Sequence, residues 1–566
     1  MDQDQIHFEV FARRNENASM TLEMATEDRA RAMEFAEDLL DNTKAVAVRV
    51  SKETRDPDTG EYRSLTILAR GSAEKKRSKV ATEESGPPCV APADLYTHHA
   101  RQRIMRLLEG WLGRNKATSF ELLHRPDLAE KLEASGTDLQ HAVQKIAIPE
   151  AQARGVSVHE VIRTFNALID RAINRLIKDG RKGSLADFRK DSFAEACVRL
   201  LGDPEAHYKL GGGVAQYLAD AKSWSAKIDR LLDLADQAPA EAKARQLAFD
   251  VLEQPLGEIM GSRTGMAELL GPSLDLGGSL AAMTRLAAGQ VVDAIGGIDP
   301  SIARTMPPLD GAAARLSRWM EGSYFQAVRI AIGRKVLAEI KGSRRLRPSD
   351  AQGEIDVLRV LAMTLTAAAG KMLPQEDIRE AFIERSRMLV GSEFVSAAVA
   401  GAQSSAEEVR ALVRVAENVT GPANKRQAAQ WLIGAVTALR FEKDIREAKD
   451  SPAQRLASLA ELQRTVIRID MPEADKQIIV HRLGEIGGLV ENDAHLVEAV
   501  IRSPAPPVQK LTVLLKLALG EGAPLGPAAN KAKAAVLKLA KDPDLRQDLA
   551  RSPEVIERLR PLMNAA

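Results

Sequence analysis

The side chains able to do chemistry in this chain are few enough to take group by group. Nine histidines and two cysteines are spread over 566 residues. His98 and His99 are adjacent, so on a helix they diverge by roughly 100°, whereas ligands on one helical face stand about three or four residues apart. His7, His124, His141, His159, His207, His481 and His495 are isolated in sequence, with no HExxH pattern among them. This spacing leads us to expect no metal site and no cofactor. Cys197 lies in FAEACVRLL, an apolar helical stripe, and reads as a buried structural thiol. Cys89 sits beside two prolines, without the rigid electropositive setting that a thiol nucleophile needs. No GxSxG elbow is present.

Glycine runs are the next place to look, because free backbone amides ahead of a helix hold anions. KLGGGVAQYL carries Gly211, Gly212 and Gly213. It lacks both the Lys-Ser/Thr pair of a phosphate-binding loop and the strand that precedes a dinucleotide fingerprint. The run reads as a helix break, and so do LDLGGSL and AIGGIDP. DPDTGE offers Asp56 and Asp58 in the manner of a calcium loop. The central glycine register and the distal glutamate are missing, which leaves a hairpin turn. With 78 acidic residues in the chain, spacing alone singles out no general acid and base. EDIREAFIER, for example, mixes Glu and Arg at distances that support an exposed helix through ion pairs.

The strongest departure from an even charge mixture is RIAIGRKVLAEIKGSRRLRP, from Arg329 to Pro348, where Glu339 is the one acid among many cations. Wound as a single helix from Gly311 to Lys341, the chain puts Leu316, Met320, Ala327, Ala331 and Ala338 on one side. Arg315, Arg318 and Arg329 gather on the other. Gly342 should end the helix, leaving Lys341, Arg344, Arg345 and Arg347 where cations complement the helix dipole. The stretch is therefore a solvated helix end. The second reading makes Arg315, Arg318, Arg329, Lys341, Arg344, Arg345 and Arg347 a patch for an acidic partner. Val336 and Ile340 point to the charged side, which implies that another helix covers it. Arg334 falls in the apolar arc and needs a carboxylate.

The elements that position these groups change in kind along the chain. In residues 1–70, Ile6, Phe8, Val10 and Ala12 alternate with polar neighbours, and the beat returns at Met20, Leu22 and Met24. Thr26 is the expected cap of a helix whose face carries Ala32, Phe35, Ala36, Leu39 and Leu40. Two further strands follow, with Val46, Val48 and Val50 in the first and Leu65 and Ile67 inward in the second. This is a small β-β-α-β-β domain, with Phe11 and Leu68 on the face away from the helix. Residues 71–92 lose periodicity and read as a flexible linker containing KKRSK. Amphipathic helices then fill residues 93–345 and 346–566, including single segments over 214–235, 311–341 and 425–447. The helix beginning near Val158 is expected to stop at Gly180. No signature recurs at constant interval, so a degenerate solenoid of helical hairpins and an irregular helical domain both fit. The fold class is mostly α, a small α+β domain followed by a long multi-helix body.

The totals set outer bounds. Lys and Arg number 79 against 78 acids, so attraction to nucleic acid or to an anionic membrane must be local where it exists. Two cysteines cannot build a disulfide framework, and MDQDQIHFEV does not resemble a secretory signal, which points to the cytoplasm. No apolar run reaches the length of a membrane span. The bias toward alanine and arginine is of the kind met in bacterial chains. These readings converge on a non-catalytic, cytoplasmic interaction, scaffold or regulatory protein that offers helical surfaces to protein partners. Nucleic-acid binding through the small sheet and local basic patches is the first alternative. An enzyme of unrecognised type, with a pocket among residues 200–340, is the second.

Overall fold

A computed structural model describes residues 6–14, 20–42, 45–55, 62–71, 89–271 and 275–540, together with Glu557. Residues 72–88 of the expected 71–92 linker, with its KKRSK run, and the DPDTG turn lie outside the described residues. The chain divides into two compact units, Met1–Cys89 and Val90–Ala566.

The first unit is a four-stranded antiparallel sheet in the order β2-β1-β3-β4, formed by β1 (Ile6–Arg13), β2 (Thr21–Thr26), β3 (Ala47–Arg55) and β4 (Tyr62–Gly71). The Arg29–Asp41 helix packs on the face carrying Phe8, Val10, Ala12, Val48 and Val50. Its cap is Asp28 rather than Thr26: the Asp28 carboxylate accepts from the amides of Ala30 and Arg31, while Thr26 Oγ1 accepts from the Asp28 amide. The alternation holds in β1 and fails in β4, because the β3–β4 register shifts at Val50/Ser51. Leu68 consequently pairs with Val50 and joins the core beneath the helix, whereas Leu65 is 63% exposed. The assignments of Leu65 and Leu68 are thereby reversed, while Ile67 packs on the core as expected. Phe11 does lie on the second face, under the guanidinium of Arg49 at 4.7 Å.

Among the described residues of Val90–Ala566 the regular elements are all helices, and one apolar cluster runs from Phe120 to Val536. Several expected segments prove to be two helices. Residues 214–235 fall into Ala206–Leu218 and Trp224–Asp236, and 425–447 into Pro422–Thr437 and Leu439–Arg446. Residues 311–341 divide into Gly311–Glu321 and Gln326–Lys341, interrupted where Phe325 takes a left-handed φ of 57°. That conformation is strained for a bulky residue. It buries the Phe325 ring against Phe249, which also stacks on Tyr324 at 3.9 Å. Conversely, Gly180 does not end its helix, which continues to Lys182 and closes on left-handed Gly183.

From Ala351 onward the helices succeed one another as long, long, short. The first triplet is Ala351–Ala367, Gln375–Leu389 and Ser392–Val399; the second is Ser405–Glu417, Pro422–Thr437 and Leu439–Arg446. Pro452–Arg468, Glu473–Ala494 and Leu496–Arg502 make the third, followed by the pair Pro507–Ala518 and Pro527–Leu539. The second helix of each triplet packs on the second helix of the next, in a row that begins at Gln326–Lys341 and ends at Pro527–Leu539. Leading helices start at Ala351, Ser405, Pro452 and Pro507, so the intervals of 54, 47 and 55 residues follow no fixed period. Polar side chains lock the row. Asn424 Nδ2 donates to the Ile383 carbonyl at 2.8 Å, Trp431 Nε1 to Val390 at 2.9 Å, and Arg446 pairs with Asp493 at 2.8 Å.

Glycines let the last pair approach. A Cβ on Gly484 would stand 2.4 Å from the Leu525 carbonyl oxygen, and one on Gly487 would stand 2.4 Å from Pro524. Buried Gln463 clamps the same crossing by donating to the carbonyls of Val480 and Leu525 and accepting from the Leu525 amide. Gly484→Ala is expected to cost about 1–3 kcal/mol by overpacking against backbone. Gly434→Ala, where a Cβ meets nothing within 4 Å, should stabilise by about 0.4–1 kcal/mol. Urea denaturation of the two variants checks the pair, and equal effects would contradict the close approach.

Candidate functional site

The short helix Ser119–His124 is the node on which a long groove is built. Thr118 and Glu121 form its capping box, and five of its six side chains are buried. Glu121, fully buried, receives Lys227 Nζ on both oxygens at 2.5 and 2.7 Å. Arg125 approaches the same carboxylate at 3.5 Å. Burial depresses the Lys227 ammonium below its ordinary range, although Glu121 opposes the shift. On the other side, Glu258 Oε2 accepts from the Phe120 amide at 2.7 Å and Glu258 Oε1 accepts from Arg101 Nε at 2.8 Å. Arg101 also donates to the Tyr96 carbonyl at 2.5 Å. Each buried charge thus has partners, without which its desolvation would not be tolerated.

His124 closes the node. Its Nδ1–H donates to the Phe120 carbonyl at 2.8 Å, and its ring packs among Phe120, Tyr96 and Tyr208. Gly211 lies flat against it, since a Cβ there would stand 2.6 Å from His124 Nε2. Gly212 and Gly213 meet Leu185 and Ala186 in the same way. The glycine run therefore neither breaks a helix nor opens one: it lies inside Ala206–Leu218 and removes side chains so that the node can pack. Burial pushes the His124 imidazole down to about 4.

The Arg101–Glu258 pair fixes the His98–Leu107 helix against the Ala242–Gly261 helix, and Gln326–Lys341 supplies a third wall. Between them runs a trough of about 780 Å³, with Gly257 and Gly261 on one wall and Ala327 and Ala331 on another. Met105 and Gly261 also line a second chamber of about 690 Å³, which adds Met266, Met283 and Lys335. The alanine stripe of the basic stretch faces outward here. Ala327, Ala331 and Ala338 are exposed, while Val328, Ile332, Val336 and Ile340 enter the core. Within Gln326–Lys341 periodicity took the wrong face as the interior, although Val336 and Ile340 are indeed covered, whereas in Gly311–Glu321 it placed Leu316 and Met320 inward as they are found. Arg334 stands exposed on the trough wall and makes no ion pair with a described residue. Burial lowers the Lys335 ammonium, and Glu339 acts on it only through space.

The seven cations grouped in sequence are dispersed. Arg315 lies among Asp229, Asp233 and Asp236 at 2.9–3.0 Å, Lys341 pairs with Glu380 at 2.8 Å and Arg344 with Glu339 at 2.7 Å. Arg345 reaches buried Glu354 at 2.7 Å and covers the Phe394 ring, while Arg347 pairs with Asp275 at 3.3 Å. Arg318 is exposed, and Arg329 is buried with Nε donating to the Ala287 carbonyl at 2.7 Å. Cys197 is fully buried, its thiol pushed up to about 12 by burial. Among the described residues no three His, Cys, Asp or Glu side chains converge to hold a metal ion. No described helix is long and apolar enough to cross a membrane. Sequence reasoning missed the node and the trough; the Thr118–Glu121 capping pattern was the one local signal for the former.

Comparison of the chain with protein-family models, with curated proteins and with solved structures finds no match.

Lys227→Met should cost about 3–5 kcal/mol by leaving Glu121 charged and buried, and adding Glu121→Gln should recover part of that loss; equilibrium denaturation of the single and double variants measures both. His124 binds its proton more weakly when folded than when unfolded. Its contribution is therefore complete above the ordinary pKa of 6.5 and is lost as pH falls toward about 4. By pH 4.5 the native chain should have lost about 2–3 kcal/mol relative to a His124→Gln variant, read from denaturation curves at pH 7 and pH 4.5.

Proposed function

We propose that this chain is a non-catalytic interaction protein whose helical body receives an amphipathic helix from a partner protein in the trough beside the Arg101–Glu258 pair. The observation that carries the reading is the outward alanine face of Gln326–Lys341 opposite Gly257 and Gly261. Small residues on facing walls let a helix backbone come close, and methionines in the adjoining chamber adapt to irregular apolar side chains. Arg334 in the trough and Lys335 in the adjoining chamber, which lack an ion pair with a described residue, favour acidic residues on the partner helix, while Asp250 and Glu253 on the facing wall favour a basic one. The cytoplasm is the setting in keeping with a chain that carries only two cysteines. Five of the seven clustered cations are engaged by carboxylates of the chain, so the trough has a stronger claim than a phosphate-binding patch.

A photo-crosslinking residue at Ala331 or Ser279, introduced into the full chain in its native host, should give a discrete adduct with one partner. The same probe at exposed Ala534 should not. Ala327→Trp, which fills the trough, should abolish the adduct with thermal unfolding unchanged, and Arg334→Glu with Lys335→Glu should reduce it about tenfold. Equal labelling at Ala534, or none at Ala331 and Ser279, would end the proposal.

A further inference from the structure

The helix that presents Ala327 and Ala331 to the trough turns Arg329 toward a different space. Arg329 is only 6% exposed, yet its one side-chain hydrogen bond runs from Nε to the Ala287 carbonyl at 2.7 Å. Glu321 acts on it through space without bonding to it. The guanidinium lines a cavity of about 340 Å³ together with Lys371, Gln290, Gln326 and Glu321. The remaining donors of this largely buried arginine meet no carboxylate among the described residues and open to the cavity, where their fork matches an oxyanion.

A second feature points into the same space. The helix Gly289–Gly296 begins at this cavity, with Ala288 and Gln290 in its wall. Its N-cap is Ala288, whose side chain cannot accept from the first-turn amides, and no side-chain cap bond is made. An uncapped N-terminus carries partial positive charge and free N–H donors. Gly289 occurs at the first position for a steric reason: a Cβ there would stand 2.7 Å from Ser317 Oγ and 2.9 Å from Glu321 Oε1. The helix end can thus sit close beside residues of Gly311–Glu321. Lys371, exposed and without an ion pair to a described residue, adds a second cation at the mouth.

We propose that this cavity binds the phosphate group of a small hydroxylated phosphomonoester, held by Arg329, Lys371 and the first-turn amides of Gly289–Gly296. A dianion suits two cations and a helix N-terminus better than a carboxylate does. The cavity exceeds the size of phosphate alone. Glu321, the one carboxylate among the lining residues, stands where it can accept from a hydroxyl of the ligand. The site is separate from the trough, and neither proposal depends on the other.

The test is calorimetric titration of the full chain with glycerol 3-phosphate, inorganic phosphate and acetate at constant ionic strength. Glycerol 3-phosphate should bind more tightly than inorganic phosphate, and acetate more weakly than either. Lys371→Gln, at an exposed position, should weaken both phosphate probes severalfold, and Arg329→Met should weaken them at least about tenfold. Glu321→Gln should tighten inorganic phosphate by removing a like charge and weaken glycerol 3-phosphate relative to it. Arg329→Met is interpreted only if its far-ultraviolet dichroism and melting match the parent; the Lys371 and Glu321 variants decide the matter otherwise. Absence of heat with both phosphate probes at about 10 mM, a range where even weak sites bind, would overturn the proposal. So would equal affinity for acetate, or phosphate binding indifferent to Lys371→Gln and Glu321→Gln.

Discussion

Glu258 is the carboxylate on which the helical body turns. Its two oxygens take a guanidinium from Arg101 and a backbone amide from Phe120, joining stretches of chain more than a hundred residues apart. A carboxylate so placed is stable only while both oxygens are occupied, because desolvation would otherwise force it to neutralise or to escape to water. The next residue along from Phe120 is Glu121, held by Lys227. The short helix between these anchors is thus fixed from both sides by ionic partners on separate helices. Two walls of the trough inherit their spacing from that arrangement, so a groove lined by small side chains does not close under the apolar surface around it.

Small residues serve two ends in this chain. Inside the body, Gly211–Gly213 and the glycines of Glu473–Ala494 remove side chains where backbone or ring must come near. On the trough, glycine and alanine leave space that the chain itself does not fill. The low aromatic content agrees with both uses, since close helix approach needs little side-chain volume. The few rings are concentrated: Phe249, Trp319, Tyr324 and Phe325 form one cluster, and gathering them is what interrupts the helix between Glu321 and Gln326.

Much of the architecture was legible in residue order. The alternation of Phe8, Val10 and Ala12 and the stripes after Val158 each report a periodicity that depends on neighbours a few positions away. Errors arose where one residue changed phase. The shift at Val50/Ser51 exchanged the roles of Leu65 and Leu68, and the break between Gly322 and left-handed Phe325 interrupted a helix that charge and hydropathy would have continued. The Gly211–Gly213 run was misread because helix propensity counts its intrinsic cost and not the neighbour that makes it necessary, whereas AIGGIDP does end its helix, at Gly296. His124 above Gly211 is that neighbour, and the two are 87 residues apart.

The candidate sites divide along the same line. From its sequence alone the chain committed itself to a small antiparallel sheet with one helix, to a long succession of amphipathic helices and to a concentration of cations after Arg329, because each is a local property of residue type and spacing. The triplet succession, the trough, the outward turn of the alanine stripe and the fate of every clustered cation were decided only in three dimensions. Arg315 meets its acids about eighty residues away and Glu258 meets Arg101 across 157. Electrostatic and steric partners at such separations follow from which helix packs on which, and periodicity along one helix carries no information about that choice.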